Sequence, residues 1–274
     1  MGLEDHSGDI IKKARQAANQ TVESMASLAG ITVSQWTEWE TSGIPPKDPK
    51  WDEFCRVLVL HPGRLKNIAQ GWMPAPVDLS NWKELRKLET IQDDYGVNCY
   101  LAWDEITREG ALFDTGWDPQ PVLAILDENH IQLRHLFITH NHEDHNAGYS
   151  QLRQLFPGLR IHTSSKNSPP DQKNRTNDCI SIGSLRITHR ETPGHAEDSV
   201  VYVIGGFPDD APLVAVVGDN LFAGSIGRGF YSFELLKKNI SNQILTLPTD
   251  TLICPGHGPL TTLSDERQNN PFLW

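Results

Sequence analysis

The sequence predicts an α/β protein in which a small all-α part precedes a layered α/β domain. Residues 9–71 are predicted to form short helices, whereas strands and helices alternate from about residue 98 onward. Between them, Gly71-Trp72-Met73-Pro74-Ala75-Pro76 contains two prolines two residues apart, which interrupt helices and central strands alike. We therefore predict two domains, residues 1–74 and residues 77–274, with the functional site at strand ends of the second.

The composition is that of an ordinary globular protein with an acidic charge balance. The chain has 274 residues, of which 38% are hydrophobic and 22% charged, and its formal net charge is -11. An acidic chain is a poor general ligand for nucleic acids or anionic membranes. The sequence shows no run of 18 apolar residues and no secretory signal, so we expect a cytoplasmic protein without membrane contact.

Five short helices are predicted in the N-terminal part. Gly30 can end the second of them, because glycine readily adopts the left-handed conformation found just after helices. Thr32 or Ser34 can cap the start of the third helix with a side-chain oxygen. The predicted helices cover residues 10–18, 21–29, 33–40, 50–60 and 62–70. A helix, a glycine-containing turn and a second helix form the helix-turn-helix pattern.

The stretch from Arg15 to about Leu65 resembles the Cro/C1-type helix-turn-helix module, with Trp39-Glu40 where that family usually has tryptophan and glutamate. The resemblance implies DNA binding, which depends on basic side chains that contact phosphates. No Lys or Arg lies between residues 21 and 46. We therefore expect contacts within the chain or in a homo-oligomer, with DNA as the disfavoured alternative. The basic residues that could still serve DNA binding are Lys12, Lys13, Arg15, Lys47 and Lys50.

The second part alternates strands and helices joined by short loops. Residues 199–204 and 213–217 are almost wholly apolar, as is typical of central strands buried on both faces. Further strands are predicted at residues 98–103, 110–116, 133–139, 159–162, 180–188 (a strand pair) and 251–254, and helices at residues 119–128, 149–155 and 233–241.

The most informative motif follows the strand at residues 133–139. Thr139-His140-Asn141-His142-Glu143-Asp144-His145 contains three histidines and two carboxylates within six residues. His140 and His142 are two apart, so in extended backbone their side chains point to the same side. Imidazole suits zinc and iron, and carboxylate oxygen suits harder cations, so this one loop could contribute to two adjacent metal sites.

Four later or earlier polar residues complete a candidate set, and each lies close to a glycine. They are Asp114, His195, Asp219 and His257. Glycine allows the backbone to turn tightly and to approach a metal closely. Each residue alone is explained by a turn at the end of a strand. Together with the histidine-rich loop, they favour a metal centre.

These motifs resemble the metal ligands of the metallo-β-lactamase superfamily over roughly residues 80–274. The pattern is His140-x-His142-x-Asp144-His145, followed by His195, Asp219 and His257. The segments at residues 218–228, 255–259 and 266–272 are similar to the glyoxalase II-like branch, the hydroxyacylglutathione hydrolases. The resemblance implies an αββα metallo-β-lactamase sandwich, here preceded by the helix-turn-helix-like domain.

The resemblance also implies two divalent metal ions, with zinc as the first expectation and iron or manganese as alternatives. By position, one ion would take His140, His142 and His195, and the other Asp144, His145 and His257, with Asp219 bridging. Asp114 would orient a ligand without binding metal. Asp144 and Asp219 would be catalytic, because they would orient a hydroxide shared by ions roughly 3.5–4 Å apart.

The expected reaction is hydrolysis of a small-molecule thioester, or of a related ester or lactam. Ala196-Glu197-Asp198-Ser199 carries two acidic residues beside the site, and we do not find the C-terminal helical region with which glyoxalase II helps to bind glutathione. Both features favour a thiol carrier other than glutathione. The alternatives are lactonase, β-lactamase or persulfide dioxygenase chemistry on the same fold, and a DNA-binding regulator with a metal domain.

Overall fold

The computed structural model describes residues 2–274 and begins with five helices. They are α1 (Ser7–Ala17), α2 (Val22–Ala29), α3 (Val33–Ser42), α4 (Trp51–Leu58) and α5 (Pro62–Ala69). Thr32 caps α3 and exchanges hydrogen bonds with Gln35 in a capping box. Gly30 ends α2 at φ 70°, in the left-handed region. The predicted positions of these helices and the predicted roles of Gly30 and Thr32 are therefore confirmed.

Thirteen strands follow among the described residues, in two main sheets and one small hairpin. The first sheet contains β1 (Leu85–Gln92), β2 (Tyr95–Trp103), β3 (Glu109–Phe113), β4 (Gln132–Phe137) and β5 (Arg160–His162), in that order. The second contains β6 (Cys179–Ile182), β7 (Leu185–Glu191), β8 (Val200–Gly205), β9 (Val214–Gly218), β12 (Leu252–Pro255) and β13 (Thr261–Thr262), in the order β13-β12-β9-β8-β7-β6. Between β9 and β12 in sequence, β10 (Leu221–Phe222) and β11 (Ser225–Ile226) form the hairpin.

The two sheets pack face to face and carry helices on their outer faces. The helices of the second part are α6 (Gln120–Glu128), α7 (Glu143–Asn146), α8 (Tyr149–Leu155), α9 (Phe233–Asn239) and α10 (Leu263–Asn269). Side chains alternate along each strand, so Tyr202 and Val216 pack between the sheets. Val201 and Val217 belong to the outer core of the second sheet. This mixed α/β arrangement with two sheets agrees with the predicted sandwich.

The N-terminal helices share an apolar core with the outer face of the second sheet. One continuous cluster joins Ile10, Trp36 and Leu65 of these helices to Val201 and Val217 of the sheet. They therefore cover the second sheet together with α9 and α10. A helix-turn-helix domain is not confirmed by this arrangement, and the division of the chain near residue 74 stays a prediction.

The contact between the N-terminal helices and the chain's last residues is also polar. The backbone N–H of His61 donates to the carbonyl of Pro271 (2.9 Å), and Arg64 donates to the carbonyl of Asn270 (3.0 Å).

Glycine is required at Gly224 of the hairpin, because a Cβ there would lie 2.9 Å from the Trp72 ring. Within residues 2–274, no helix is both long and apolar enough to cross a membrane.

The sequence missed β1 and five smaller elements, which are β10, β11, β13, α7 and α10. β1 lies at an edge of the first sheet and buries only Leu85 and Thr90 fully, while Arg86 and Glu89 are exposed. An edge strand of this kind lacks the apolar run that indicates a central strand. Glu40 of α3, which the helix-turn-helix resemblance includes, is buried.

Candidate metal centre

The candidate ligands meet at the carboxyl ends of strands from both sheets. In the first sheet, β3 and β4 are parallel, so Asp114 after β3 lies beside Thr139 and His140 after β4. In the second sheet, β9 and β12 are parallel, which brings Asp219 beside His257. Ligand sites of α/β proteins form at such strand ends because loops from neighbouring strands converge there.

The first group of possible ligands consists of three histidines. The imidazole nitrogens of His140, His142 and His195 that face one another all lie within 4.8 Å. His142 Nδ1 is 3.0 Å from Nε2 of His140 and 3.0 Å from Nε2 of His195. The other ring nitrogen of His195 donates to the carbonyl of Arg228 (3.0 Å), which fixes the ring and leaves Nε2 with a free lone pair.

The second group consists of Asp144, His145 and His257, whose ligand atoms also lie within 4.8 Å of one another. Oδ2 of Asp144 is 3.3 Å from Nε2 of His257 and 3.6 Å from Nε2 of His145. His257 Nδ1 donates to the carbonyl of Gly96 (2.6 Å). Each histidine is therefore held from behind, and its Nε2 points into the centre.

Asp219 lies between these two groups. Its carboxylate oxygens are 3.3 Å from Nε2 of His145, 3.5 Å from Nε2 of His195 and 3.5 Å from Nε2 of His257. It also forms a third candidate ligand group with His140 and His145. Asp219 thus contacts a member of each of the first two groups, which is the arrangement that a bridging carboxylate requires.

Asp114 lies behind the ligands and supports the histidine-rich loop. Its Oδ1 accepts from the backbone N–H of Thr139 (2.7 Å), and its Oδ2 accepts from the Thr139 hydroxyl (2.7 Å) and from His145 Nδ1 (2.8 Å). Its backbone adopts φ 57°, an uncommon conformation for a residue other than glycine. Asp114 therefore orients His145 and the start of the loop together.

Glycines are required where the loops approach Asp219 most closely. A Cβ at Gly256 would lie 2.2 Å from Oδ1 of Asp219, and one at Gly227 would lie 1.8 Å from its carbonyl oxygen. A side chain at Gly256 would displace the carboxylate, and one at Gly227 would displace the backbone of Asp219. The glycine beside His257 in the sequence motif is therefore explained by close packing around the candidate ligands.

The protonation states of the ligands are set by burial and by the carboxylates. Burial lowers the pKa of His140 well below its usual range and that of His195 to about 4, so both rings are neutral at pH 7. Burial also opposes a charge on His145 and His257. Asp114 and Asp219 outweigh it at His145 and raise its pKa to about 10. Asp219 and Asp144 outweigh it at His257 and raise its pKa to about 12. The buried carboxylates therefore favour a positively charged group at this site.

The centre passes a simple test for cation binding. Nε2 of His145, Nε2 of His257 and Oδ1 of Asp219 are buried and make no hydrogen bond among the described residues. Buried polar atoms without partners cost free energy unless something binds them. Imidazole nitrogens and carboxylate oxygens are the usual ligands of zinc and related divalent ions. The histidine and aspartate clusters are therefore able to hold metal.

A cavity of about 380 Å³ opens onto these residues. Sequence reasoning missed most of its walls, including three residues of the N-terminal part. The cavity is lined by Glu4, Asp5, Lys13, Tyr95, Trp117, His142, Glu143, Asp144, His195, Asp219, Phe222, Arg228 and Phe230. Glu4, Asp5 and Lys13 carry no sequence motif that indicates such a role, since charged residues near a first helix usually face solvent.

The chain is similar to known metal-dependent enzymes. The profile of the metallo-beta-lactamase superfamily matches residues 93–169, which include the histidine-rich loop. A probable metallo-hydrolase of Bacillus subtilis, YqgX, is 30% identical over 186 residues, covering 59% of this chain and 86% of the relative. The chain belongs to the metallo-beta-lactamase superfamily. As a member, it is a metallo-hydrolase of that superfamily, whose fold binds divalent metal ions.

Two further similarities show the range of this superfamily. The hydroxyacylglutathione hydrolase GloC of Haemophilus influenzae is 29% identical over 202 residues, covering 64% of this chain and 92% of the relative. The crystal structure of BLEG-1, a B3 metallo-beta-lactamase, is similar with a TM-score of 0.60 and 27% identity, covering 69% of this chain and 99% of BLEG-1. Both superfamily relatives leave about a third of this chain unmatched.

Proposed function

We propose that the protein is a thioester hydrolase of the hydroxyacylglutathione hydrolase type that uses two divalent metal ions. The observation that carries this proposal is the set of three overlapping ligand groups at the base of one cavity. Within residues 2–274, no serine, threonine or cysteine side chain lines that cavity. A mechanism without a nucleophilic side chain is therefore favoured, and the similarity to GloC supports a thioester as substrate.

In this proposal, each ion is held by one of the first two ligand groups described above. The ligands are His140, His142 and His195 for one ion and Asp144, His145 and His257 for the other, with Asp219 shared. When bound, such ions act as Lewis acids on water and on a carbonyl group. We propose zinc, with iron or manganese as alternatives.

The carboxylates have the second role in the proposed mechanism. Burial opposes ionisation of Asp144 and Asp219, but neighbouring histidines outweigh it and lower the pKa of both. At neutral pH both are therefore ionised hydrogen-bond acceptors that can orient an attacking water. Because a thiolate is a weak base, the leaving group needs no strong acid in the site.

Aromatic side chains form the walls around the acyl group in this proposal. Tyr95, Trp117, Phe222 and Phe230 line the cavity beside the candidate ligands. The Tyr95 ring lies 5.0 Å from the ring of His257, and burial raises the pKa of its hydroxyl to about 12. The hydroxyl therefore stays protonated at neutral pH and can donate a hydrogen bond to a bound substrate.

Metal analysis paired with a thioester assay tests the proposal. Protein purified without chelator should contain about two ions per chain, as expected for a two-metal site. It should hydrolyse S-lactoylglutathione or a simpler thioester, and removal of metal should abolish this activity until zinc is restored. One iron per chain, unchanged by added zinc, would instead favour the persulfide dioxygenase alternative.

A second candidate function is β-lactam hydrolysis, because the structure of BLEG-1 is similar over 69% of this chain. A chromogenic cephalosporin assayed beside the thioester decides between them. A kcat/KM for the cephalosporin above that for every thioester would favour the second candidate.

For the N-terminal helices we propose contacts within the chain and not with DNA. The exposed face of α3 carries Glu38 and no Lys or Arg. Two of the basic residues nearby are already engaged, since Arg15 pairs with Glu40 and Lys13 with Asp5. Selection from random duplex DNA that enriches one sequence, with affinity falling steeply as salt rises, would contradict this proposal.

A further inference from the structure

The N-terminal part contributes directly to the cavity over the candidate metal centre. Glu4, Asp5 and Lys13 line it together with the candidate ligands His142 and Asp219. These three residues lie before or in α1, more than 120 positions from the histidine-rich loop. Part of the substrate-facing surface is therefore built by a region that the superfamily profile, at residues 93–169, does not include.

Lys13 fixes the position of this region. Its buried ammonium group donates to Asp5, to the carbonyl of Ile226 (2.6 Å) and, at 3.4 Å, to the hydroxyl of Ser225. Ser225 and Ile226 form β11 of the hairpin that follows Asp219. The charge of Lys13 is thus neutralised by Asp5. The bonds of Lys13 to Ile226 and Ser225 attach α1 to the hairpin beside the candidate bridging ligand Asp219.

Glu4 packs against the loop that carries the candidate ligand His257. A Cβ at Gly258 would be 3.1 Å from the backbone nitrogen of Glu4, so the loop carrying His257 packs directly on Glu4. The Glu4 side chain is half-buried. No hydrogen bond or ion pair engages its carboxyl group within residues 2–274, unlike that of Asp5. Glu4 is therefore available to a molecule in the cavity.

The charge on the cavity walls is uneven. Asp5 and Lys13 cancel each other, and Asp144 and Asp219 belong to the candidate ligand set. The remaining charged side chains in the cavity lining are Glu4, Glu143 and Arg228, of which Glu143 and Arg228 are exposed. Glu4 is the only half-buried one of the three, so its charge is screened least by solvent and acts most strongly on a bound molecule.

We infer that Glu4 is a specificity residue, supplied by the N-terminal part, which selects substrates with a positively charged group over substrates with a carboxylate. The inference rests on the proposed function for the thioester class. It adds that the thiol carrier is cationic at the end that reaches Glu4. A carrier with a carboxylate at that end would meet the like charge of Glu4, whose carboxyl group forms no ion pair among the described residues.

Binding of two thiols of opposite charge tests this without any turnover. The probes are thiocholine, which carries a permanent cation, and 3-mercaptopropionate, which carries a carboxylate. Their Kd values are measured by calorimetry on zinc-loaded protein, with metal content determined for every variant. We expect a preference for thiocholine of roughly fivefold to tenfold in the wild type, lost in Glu4→Gln and reversed in Glu4→Lys.

The matched control is Glu38→Gln, which removes an exposed carboxylate of α3 at the same cost in net charge. Its preference should equal that of the wild type, since Glu38 lies outside the cavity lining. Equal preferences in the wild type, Glu4→Gln and Glu4→Lys would overturn the inference. Failure of both thiols to bind the wild type would also overturn it.

Hydrolysis is then compared for the acetyl thioesters of the same two thiols. We expect the ratio of kcat/KM values for the cationic and anionic thioesters to follow the binding preference in all variants. If the binding preference changes with Glu4 but neither thioester is hydrolysed, the proposed function is wrong and the inference about Glu4 stands. If hydrolysis occurs with an unchanged ratio and unchanged binding preference, the inference is wrong and the proposed function stands.

Discussion

Two regions of the molecule bury carboxylates, and they balance the charge in different ways. In the N-terminal helices, Glu40 accepts hydrogen bonds from Arg15 Nε (2.6 Å) and Nη2 (2.9 Å) and from the Trp36 indole (2.5 Å). In the metal centre, Asp219 Oδ1 and His145 Nε2 are buried without a hydrogen bond. Complete pairing holds the helices in place, whereas incomplete pairing leaves room for an added cation.

The largest expected effect comes from removing a ligand of the centre. His142→Ala and Asp219→Ala should each lower kcat/KM by more than the roughly 10–100-fold expected for loss of an orienting partner, because both residues are candidate metal ligands. Circular dichroism should show unchanged helix content. The control is His130→Asn, an exposed histidine before β4. Near-normal turnover in Asp219→Ala would rule out a bridging role.

Removing one partner of the buried ion pair between Lys13 and Asp5 should lower the stability of the fold more than the activity. Lys13→Met leaves the buried Asp5 carboxylate without its partner, which should lower the free energy of unfolding by about 3–5 kcal/mol. Urea denaturation measures the change. Lys12→Met is the matched control, because the neighbouring Lys12 is only partly buried. Equal stabilities of the two variants would show that the pair between Lys13 and Asp5 contributes little.

A smaller effect is expected at Asp114. Like Glu40, its carboxylate is fully hydrogen-bonded, but it lies in the candidate metal centre and orients the candidate ligand His145. Asp114→Asn keeps the size and tolerates φ 57°, but it removes the charge that faces His145. Metal affinity or kcat/KM should fall roughly 10–100-fold. Titration with zinc measures the affinity, with Asp127→Asn on the exposed side of α6 as control. A change confined to stability would limit Asp114 to a structural role.

The smallest expected effect is on stability and comes from two further buried histidines, His135 and His162, which are uncharged at neutral pH. His135 Nδ1 lies 2.8 Å from His162 Nε2, and burial lowers the pKa of each to about 4. A histidine whose pKa is lowered by folding stabilises the protein above its unfolded pKa near 6.5, and this stability is lost as the pH falls towards 4. Between pH 7 and pH 5.5 the loss should be about 1–2 kcal/mol.

His135→Phe isolates this contribution, since phenylalanine keeps the stack on Phe137 and does not titrate. Urea denaturation of both proteins at several pH values gives the difference in unfolding free energy. That difference should shift in favour of His135→Phe as the pH falls below 6.5. Parallel profiles for the two proteins would contradict the assigned pKa values.

The candidate ligands could be predicted from sequence because metal chemistry restricts residue types at short spacing. His140, His142 and His145 share one loop, and parallel strands bring Asp219 and His257 together. The layered α/β domain followed from apolar strands that alternate with helices, whereas the sandwich was implied by the resemblance to the superfamily. The edge strand β1 was missed because its exposed face carries charges that a sequence pattern does not distinguish from a loop.

The part of the cavity built by the N-terminal residues could not be predicted. Glu4 and Lys13 reach the centre only through tertiary contacts with Gly258 and Ile226, which lie more than 200 positions away in the chain. Such contacts cannot be predicted from the periodicity or the spacing of residues in the sequence. The role of the helices as the cover of the second sheet was hidden for the same reason, since it depends on surfaces and not on motifs.

The shared core of the helices and the second sheet has a consequence for handling the protein. The connecting segment is exposed at Gly71 and Met73, so we expect a protease to cut the chain there. The two pieces would still be joined through Ile10, Val201 and Val217 and through the Lys13 contacts. A nicked chain should therefore migrate as one particle on a native gel and separate into two bands only in denaturant.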